Sequence, residues 1–143
     1  MPSKHINWES LITAHKYEST ATVQNLGSAK KSFREQSLMQ HYLIVWNFPT
    51  VAGSWEACPP FAEYINAGGP GDQFEGFELK YRVCDPIAGR GMAISVAKDI
   101  GKVWAHLAPW IKGFGIKFEV TPVVSDSEFA AMWPEVQAAG NAD

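Results

Sequence analysis

Cysteine is scarce: Cys58 and Cys84 are the only two in 143 residues. Without CxxC spacing or a neighbouring histidine, they exclude a disulfide framework and a zinc site, and are expected to be buried free thiols. A basic excess is missing too. Twelve Lys and Arg stand against fifteen Asp and Glu, a formal charge of −3, which argues against a partner held by phosphate neutralisation. No apolar run approaches the roughly 18 to 20 residues needed to cross a bilayer, and the opening residues lack the apolar segment of a secretory signal. A cytoplasmic protein, bound neither to membrane nor to nucleic acid, is expected. Neither GxGxxG nor GxxxxGK[ST] occurs, so no nucleotide, flavin or metal cofactor is expected.

What is present is aromatic. Six Trp and eight Phe accompany a 46% hydrophobic content, and side chains of that size fit a compact core or an interface. The length suits one domain.

Residues 1–38 are polar and Ser/Thr-rich, with two weak helical patterns, one capped at Asn7 and running through Trp8, Leu11, Ile12 and His15, the other running from Ser28 through Phe33 to Leu38. Met39 directly precedes the first strand, and the codons of Arg34 and Glu35 can spell a purine tract of the kind ribosomes bind. The segment is therefore read as an N-terminal arm, either an over-extended start or a loosely attached extension, that contributes little to function. From His41 to Phe48 the chain reads as a strand ended by Pro49. A helix capped at Ser54 or Cys58 follows, with Pro59 and Pro60 in its first turn and Phe61, Tyr64 and Ile65 on one side. Gly68 and Gly69 stop it. Phe77, Leu79, Tyr81 and Val83 alternate with Glu78, Lys80 and Arg82 in a second strand, and Met92, Ile94 and Val96 with Ala93, Ser95 and Ala97 in a third. Asp99 caps a second helix with an inner face of Val103, Leu107 and Trp110 or Ile111; Pro109 should kink or end it. Residues 116–121 form a last strand. Ser125 and Glu128 then make a capping box for a short helix carrying Phe129, Met132 and Trp133, with 134–143 a flexible tail.

This order predicts an α+β, ferredoxin-like βαββαβ sandwich over residues 39–133: a four-stranded antiparallel or mixed sheet, two helices on one face, and a short C-terminal helix. The first strand is apolar on both sides. Tyr42, Ile44, Trp46 and Phe48 alternate with Leu43 and Val45, so two covers are needed and the helices supply one. If the larger apolar set of each strand faces the helices, the open face carries His41, Leu43, Val45, Asn47, Glu78, Lys80, Arg82, Ala93, Ser95, Lys117 and Glu119. A dry centre with a charged rim suits association. A face-to-face homodimer is expected through Leu43 and Val45, with Trp133 reaching over the partner.

The opening strand QHYLIVWNF, the helix WAHLAPWIKGF and above all the ending IKFEVTPVVSDSEF resemble a family of small ferredoxin-like proteins known only as a domain of unknown function. The resemblance covers about residues 39–133. It implies the fold of the dimeric α+β barrel group, which includes muconolactone isomerase-like proteins and small cofactorless monooxygenases, and it carries over no catalytic motif.

An RNA-recognition module shares this element order but requires aromatic stacking residues where Ile44, Met92, Ile94 and Val96 stand. Two readings are weighed. One is a non-catalytic small-molecule-binding or regulatory module whose dimer is its architecture. The other is a cofactorless isomerase or monooxygenase-like enzyme, in which His41, Asn47, Glu78, Lys80 and Arg82 are ligand-binding candidates, with a histidine near a carboxylate and a cation available for proton transfer. Trp46, Trp104 and Trp110 are candidate cavity walls. His106 is expected to face outward on the second helix, as a solvated side chain.

Overall fold

The computed structural model describes residues 38–142; the helical patterns expected in the N-terminal arm lie outside them. Strand β1 (Gln40–Asn47) leads into helix α1 (Val51–Asn66). The short β2 (Gln73–Phe74), β3 (Phe77–Asp85) and β4 (Arg90–Ala97) follow, then α2 (Ile100–Phe114), β5 (Lys117–Val123) and α3 (Asp126–Gly140). The strands form one sheet in the order β2-β3-β4-β1-β5, antiparallel throughout. The result is a mixed α+β fold compatible with a ferredoxin-like arrangement, with five strands instead of the expected four because residues 73–74 turn back on Phe77 and Glu78.

Both central strands are read against their partners by register. Tyr42 and Ile44 of β1 lie opposite Ser95 and Ala93 of β4, and residues paired across a ladder point to the same face. Their common face meets the helices: Tyr42, Ile44, Phe77, Ala93 and Ala97 cluster with Val103 and Leu107 of α2. A second cluster joins Tyr64 of α1 and Trp110 of α2 to Ile116, with Trp46, Phe48, Phe61, Phe114 and Phe118 packed against it.

The face expected for β4 is thus reversed. Ala93, Ser95 and Ala97 lie under the helices, and Met92, Ile94 and Val96 lie on the open side with Leu43 and Val45. Side-chain size does not set the inward face here. Small residues beneath α2 let the helix backbone come close to the sheet, which larger side chains would prevent. In β3 the register shifts between Leu79 and Tyr81, leaving Lys80 unpaired in a bulge. A bulge adds one residue to one strand and so reverses the facing of everything after it. Tyr81 and Val83 accordingly join the open face, opposite Ile94 and Met92, and Arg82 crosses to the helix face, opposite Ala93.

The helix limits also differ from expectation. Helix α1 begins at Val51, with Thr50 as N-cap accepting from the Gly53 N–H at 3.0 Å. Pro59 and Pro60 therefore sit inside it, where each lacks the N–H of an ordinary helical turn. Helix α2 keeps Pro109 in its interior and ends at Phe114, where Gly115 takes a left-handed conformation (φ 64°) that suits glycine. The expected capping box is present at Ser125 and Glu128, but α3 continues through Pro134 to Gly140 instead of fraying there.

Ala97 is fully buried against α2. Replacing it with leucine should overpack this contact and lower the unfolding free energy by about 1–3 kcal/mol, read as an earlier midpoint in urea denaturation.

Candidate functional site

A cavity of about 110 Å³ lies between the sheet and the helices. Its existence follows from residue sizes along α1. Ser54, Ala57 and Cys58 present little volume toward the sheet, so α1 spans Ile44, Trp46 and Ala93 without filling the space above them. The walls are aromatic, with Trp46, Phe61, Trp110 and Phe118 among them. Phe61 meets Trp110 edge-on at 5.6 Å between ring centroids, and Tyr64 meets it in the same way at 5.4 Å. The β3–β4 turn contributes Asp85, Pro86, Gly89 and Arg90 to the lining. Gly89 has φ 66°, and a Cβ there would come within 2.9 Å of the Ser54 Cβ. Only glycine allows that turn to close on α1.

Besides Ser54 and the turn residues Asp85 and Arg90, the polar side chains in this largely apolar lining are Arg82 and His106. Both are fixed by the loop between α1 and β2. Arg82 donates from both Nη atoms to Asp72, at 3.0 Å to Oδ1 and 2.9 Å to Oδ2, and its Cζ lies 5.1 Å from the centroid of Phe61 and 5.8 Å from that of Tyr64. A planar, bidentate and ring-stacked guanidinium has little freedom left. Tyr64 donates its hydroxyl proton to Asp72 Oδ1 at 2.7 Å and accepts from the Gly71 N–H at 3.0 Å. Burial, then the carboxylate beside it, push the Tyr64 phenol well above its ordinary range, so it stays protonated.

His106 lies 2.9 Å through Nδ1 from the Gly71 carbonyl and stacks on Phe77 at 4.5 Å between centroids. A carbonyl can only accept, so Nδ1 carries the proton and Nε2 is left with the lone pair. Burial, the largest influence, holds its pKa below the usual histidine value and keeps the ring neutral at pH 7. The residue expected on the solvated side of α2 is thus part of the core. Its spacing shows why: Val103, His106, Leu107 and Trp110 are the buried positions of α2, at the intervals of one helical face.

The expected candidates divide between two faces. His41, Asn47 and Glu78 belong to the open side by register. Glu78 pairs with Lys80 at 2.8 Å, both side chains well exposed, as a solvated ion pair. His41 Nδ1 lies 3.1 Å from Glu128 Oε2, within ion-pair range but not aligned as a hydrogen bond. Arg82 is on the other face because of the bulge, so the five residues do not form one constellation. Trp46 and Trp110 line the cavity, whereas Trp104 is 70% exposed, off the buried stripe of α2, and is not among its walls. The thiols also depart from expectation. Cys58 and Cys84 are free and exposed, and both line the cavity. Sequence reasoning missed His106, Tyr64 and Asp72 as a group. For His106 the helical period was a sufficient signal, whereas the Asp72–Arg82 pairing had none.

Among the described residues, no group of three or more His, Cys, Asp or Glu could hold a metal ion, and no helix is long and apolar enough to cross a membrane. Sheet, helices and inner cavity define a small α+β domain with an apolar chamber and a polar corner. The chain belongs to the family described as Domain of unknown function (DUF3303), matched over residues 40–137. No curated protein and no solved structure matches it.

Two outcomes follow from the polar corner. Asp72→Asn keeps the shape but leaves the Arg82 guanidinium, whose side chain is 17% exposed, without its counter-ion. A loss of about 2–3 kcal/mol is expected in urea denaturation, below the cost for a fully buried pair. The second outcome concerns acid. Because burial lowers the His106 pKa from 6.5, the unfolded chain binds a proton just below pH 6.5 that the folded chain refuses. Stability therefore falls with pH through that window, by up to about 1.4 kcal/mol per pH unit. Unfolding free energies measured from pH 7 to pH 5 should show this slope in the wild type and not in His106→Phe.

Proposed function

We propose that the protein is a homodimeric, cytoplasmic small-molecule-binding module that holds its ligand between sheet and helices. The observation that carries this reading is the cavity itself: largely apolar, aromatic-walled and supplied with a few polar side chains, Arg82 and His106 among them. Ligand sites are commonly built in that way, with an apolar chamber for affinity and a few placed polar groups for orientation. An interior filled by its own side chains would instead have favoured a purely structural role.

The homodimer rests on the open face. Leu43, Val45 and Ile94 are half-buried there, and Tyr81, Val83 and Met92 are exposed. Helix α3 has no buried residue, yet Phe129, Met132, Trp133 and Val136 form a stripe at helical spacing, each about half exposed. A two-fold arrangement lets both surfaces, which no described residue covers, be covered at once, sheet on sheet with each α3 laid over the other copy. Two free thiols suit a reducing compartment.

A second reading, a cofactorless proton-transfer enzyme, is favoured by one observation. His106 is neutral and keeps an unprotonated ring nitrogen beside a cation-bearing chamber, the state a general base requires. Binding and turnover are separated by whether a bound compound is recovered unchanged.

Native mass spectrometry of protein purified from its own host tests the main reading. A dimer with additional mass on each chain is expected. Ala57→Trp, which fills the chamber, should remove the added mass and keep the dimer, whereas Val45→Arg should give monomer. A wild-type monomer without added mass would overturn the reading.

A further inference from the structure

Resting on the reading of the cavity as a ligand site, the arrangement of its polar corner narrows what the ligand can be. The Gly71 carbonyl fixes the proton of His106 on Nδ1, and the stack on Phe77 holds the ring plane. The cavity-lining imidazole therefore offers an acceptor and no donor. An acceptor in an apolar chamber costs free energy until a donor meets it. No lining side chain is bonded to Nε2: Arg82 turns one N–H of each Nη to Asp72, and the Cys58 thiol is directed to the Ser54 carbonyl at 3.3 Å. A ligand that brings a donor meets that acceptor.

Charge narrows the choice further. Arg82 lines the chamber while its counter-ion Asp72 does not. The cationic side of that pair thus faces the ligand, and the lining carboxylate of Asp85 is itself paired with Arg90 at 3.1 Å, so an ammonium group is disfavoured. A full carboxylate is disfavoured as well, because Arg82 is already neutralised by Asp72 and the incoming anion would meet that second carboxylate behind it. A neutral group with a proton to give and an electron-rich oxygen satisfies both anchors. The aromatic walls accept a flat apolar body against ring faces and edges.

We infer that the chamber selects small planar molecules bearing a weakly acidic hydroxyl, a phenol or an enol, whose O–H donates to His106 Nε2 while its oxygen lies beside the Arg82 guanidinium. The same placement orients such a molecule with its hydroxyl toward the α1–β2 loop and its ring toward Trp46 and Phe118.

Phenol and toluene, matched in size and differing in the hydroxyl, are the probes. Their dissociation constants are measured by calorimetry on the full chain at pH 7, for the wild type, His106→Phe and His106→Gln. The preference for phenol, expressed as the ratio of the two constants, should fall about tenfold in His106→Phe, which keeps the stack but loses the acceptor. His106→Gln, whose side-chain carbonyl still accepts, should restore part of it. On the wild type alone, the ¹⁵N resonance of His106 Nε2 should move on adding phenol and stay in place with toluene. An unchanged ratio in His106→Phe, or a resonance unmoved by bound phenol, overturns the inference and leaves the cavity as a ligand site. If neither probe binds the wild type, the ligand-site reading fails, and the inference with it.

Discussion

The two-pronged contact between Arg82 and Asp72 is the interaction on which the interior depends. It ties β3 to the loop that follows α1, and that loop in turn presents the Gly71 N–H to Tyr64 and the Gly71 carbonyl to His106. Three elements, α1, β3 and α2, are registered to one another through Gly71 and the Asp72 carboxylate. An ion pair so placed adds less to net stability than to geometry, since the cost of desolvating both partners offsets much of their attraction. Its effect is to hold a cation and a neutral imidazole at the edge of an otherwise apolar space.

That contact exists because of a bulge. With Lys80 inserted, Arg82 leaves the face shared by Glu78 and enters the helix-covered side; without it, the guanidinium would stand among Leu43, Val45 and Ile94 on the open sheet. The same extra residue sends Tyr81 and Val83 outward, which makes the open face more apolar than strict alternation would have it. One irregularity in one strand therefore sharpens both surfaces, giving the inner one its polar anchor and the outer one its continuous apolar area. Helix α1 completes the chamber by what it omits: Ser54, Ala57 and Cys58 stand where bulkier residues would have closed the space.

Much of this was legible in the chain. The alternation of Tyr42 through Phe48 and the capping residues Asp99 and Ser125 with Glu128 are local signals, and each marks its element in the structure. Trp46 and Trp110 lie at the cavity, and Leu43 and Val45 lie on the open side of β1. What misled were rules that weigh one element in isolation. Size suggested that Met92, Ile94 and Val96 face inward, but the helix crossing β4 needed Ala93, Ser95 and Ala97 beneath it. Proline suggested boundaries at Pro59, Pro109 and Pro134, yet each helix runs through its proline; in α1 and α2, losing a main-chain hydrogen bond at each proline costs less than unpacking the buried face.

By itself, then, the sequence determined the elements other than the short β2, their order and the presence of a strand that is greasy on both sides, since these depend on the backbone preferences and periodicity of neighbouring residues. Tertiary structure decided which side of β3 and β4 meets the helices, that Arg82 finds Asp72 ten residues away, and that His106 is buried with its proton toward Gly71. Those outcomes depend on the register between strands and on the shape of the surface each helix must cover, and both are set only when distant segments meet.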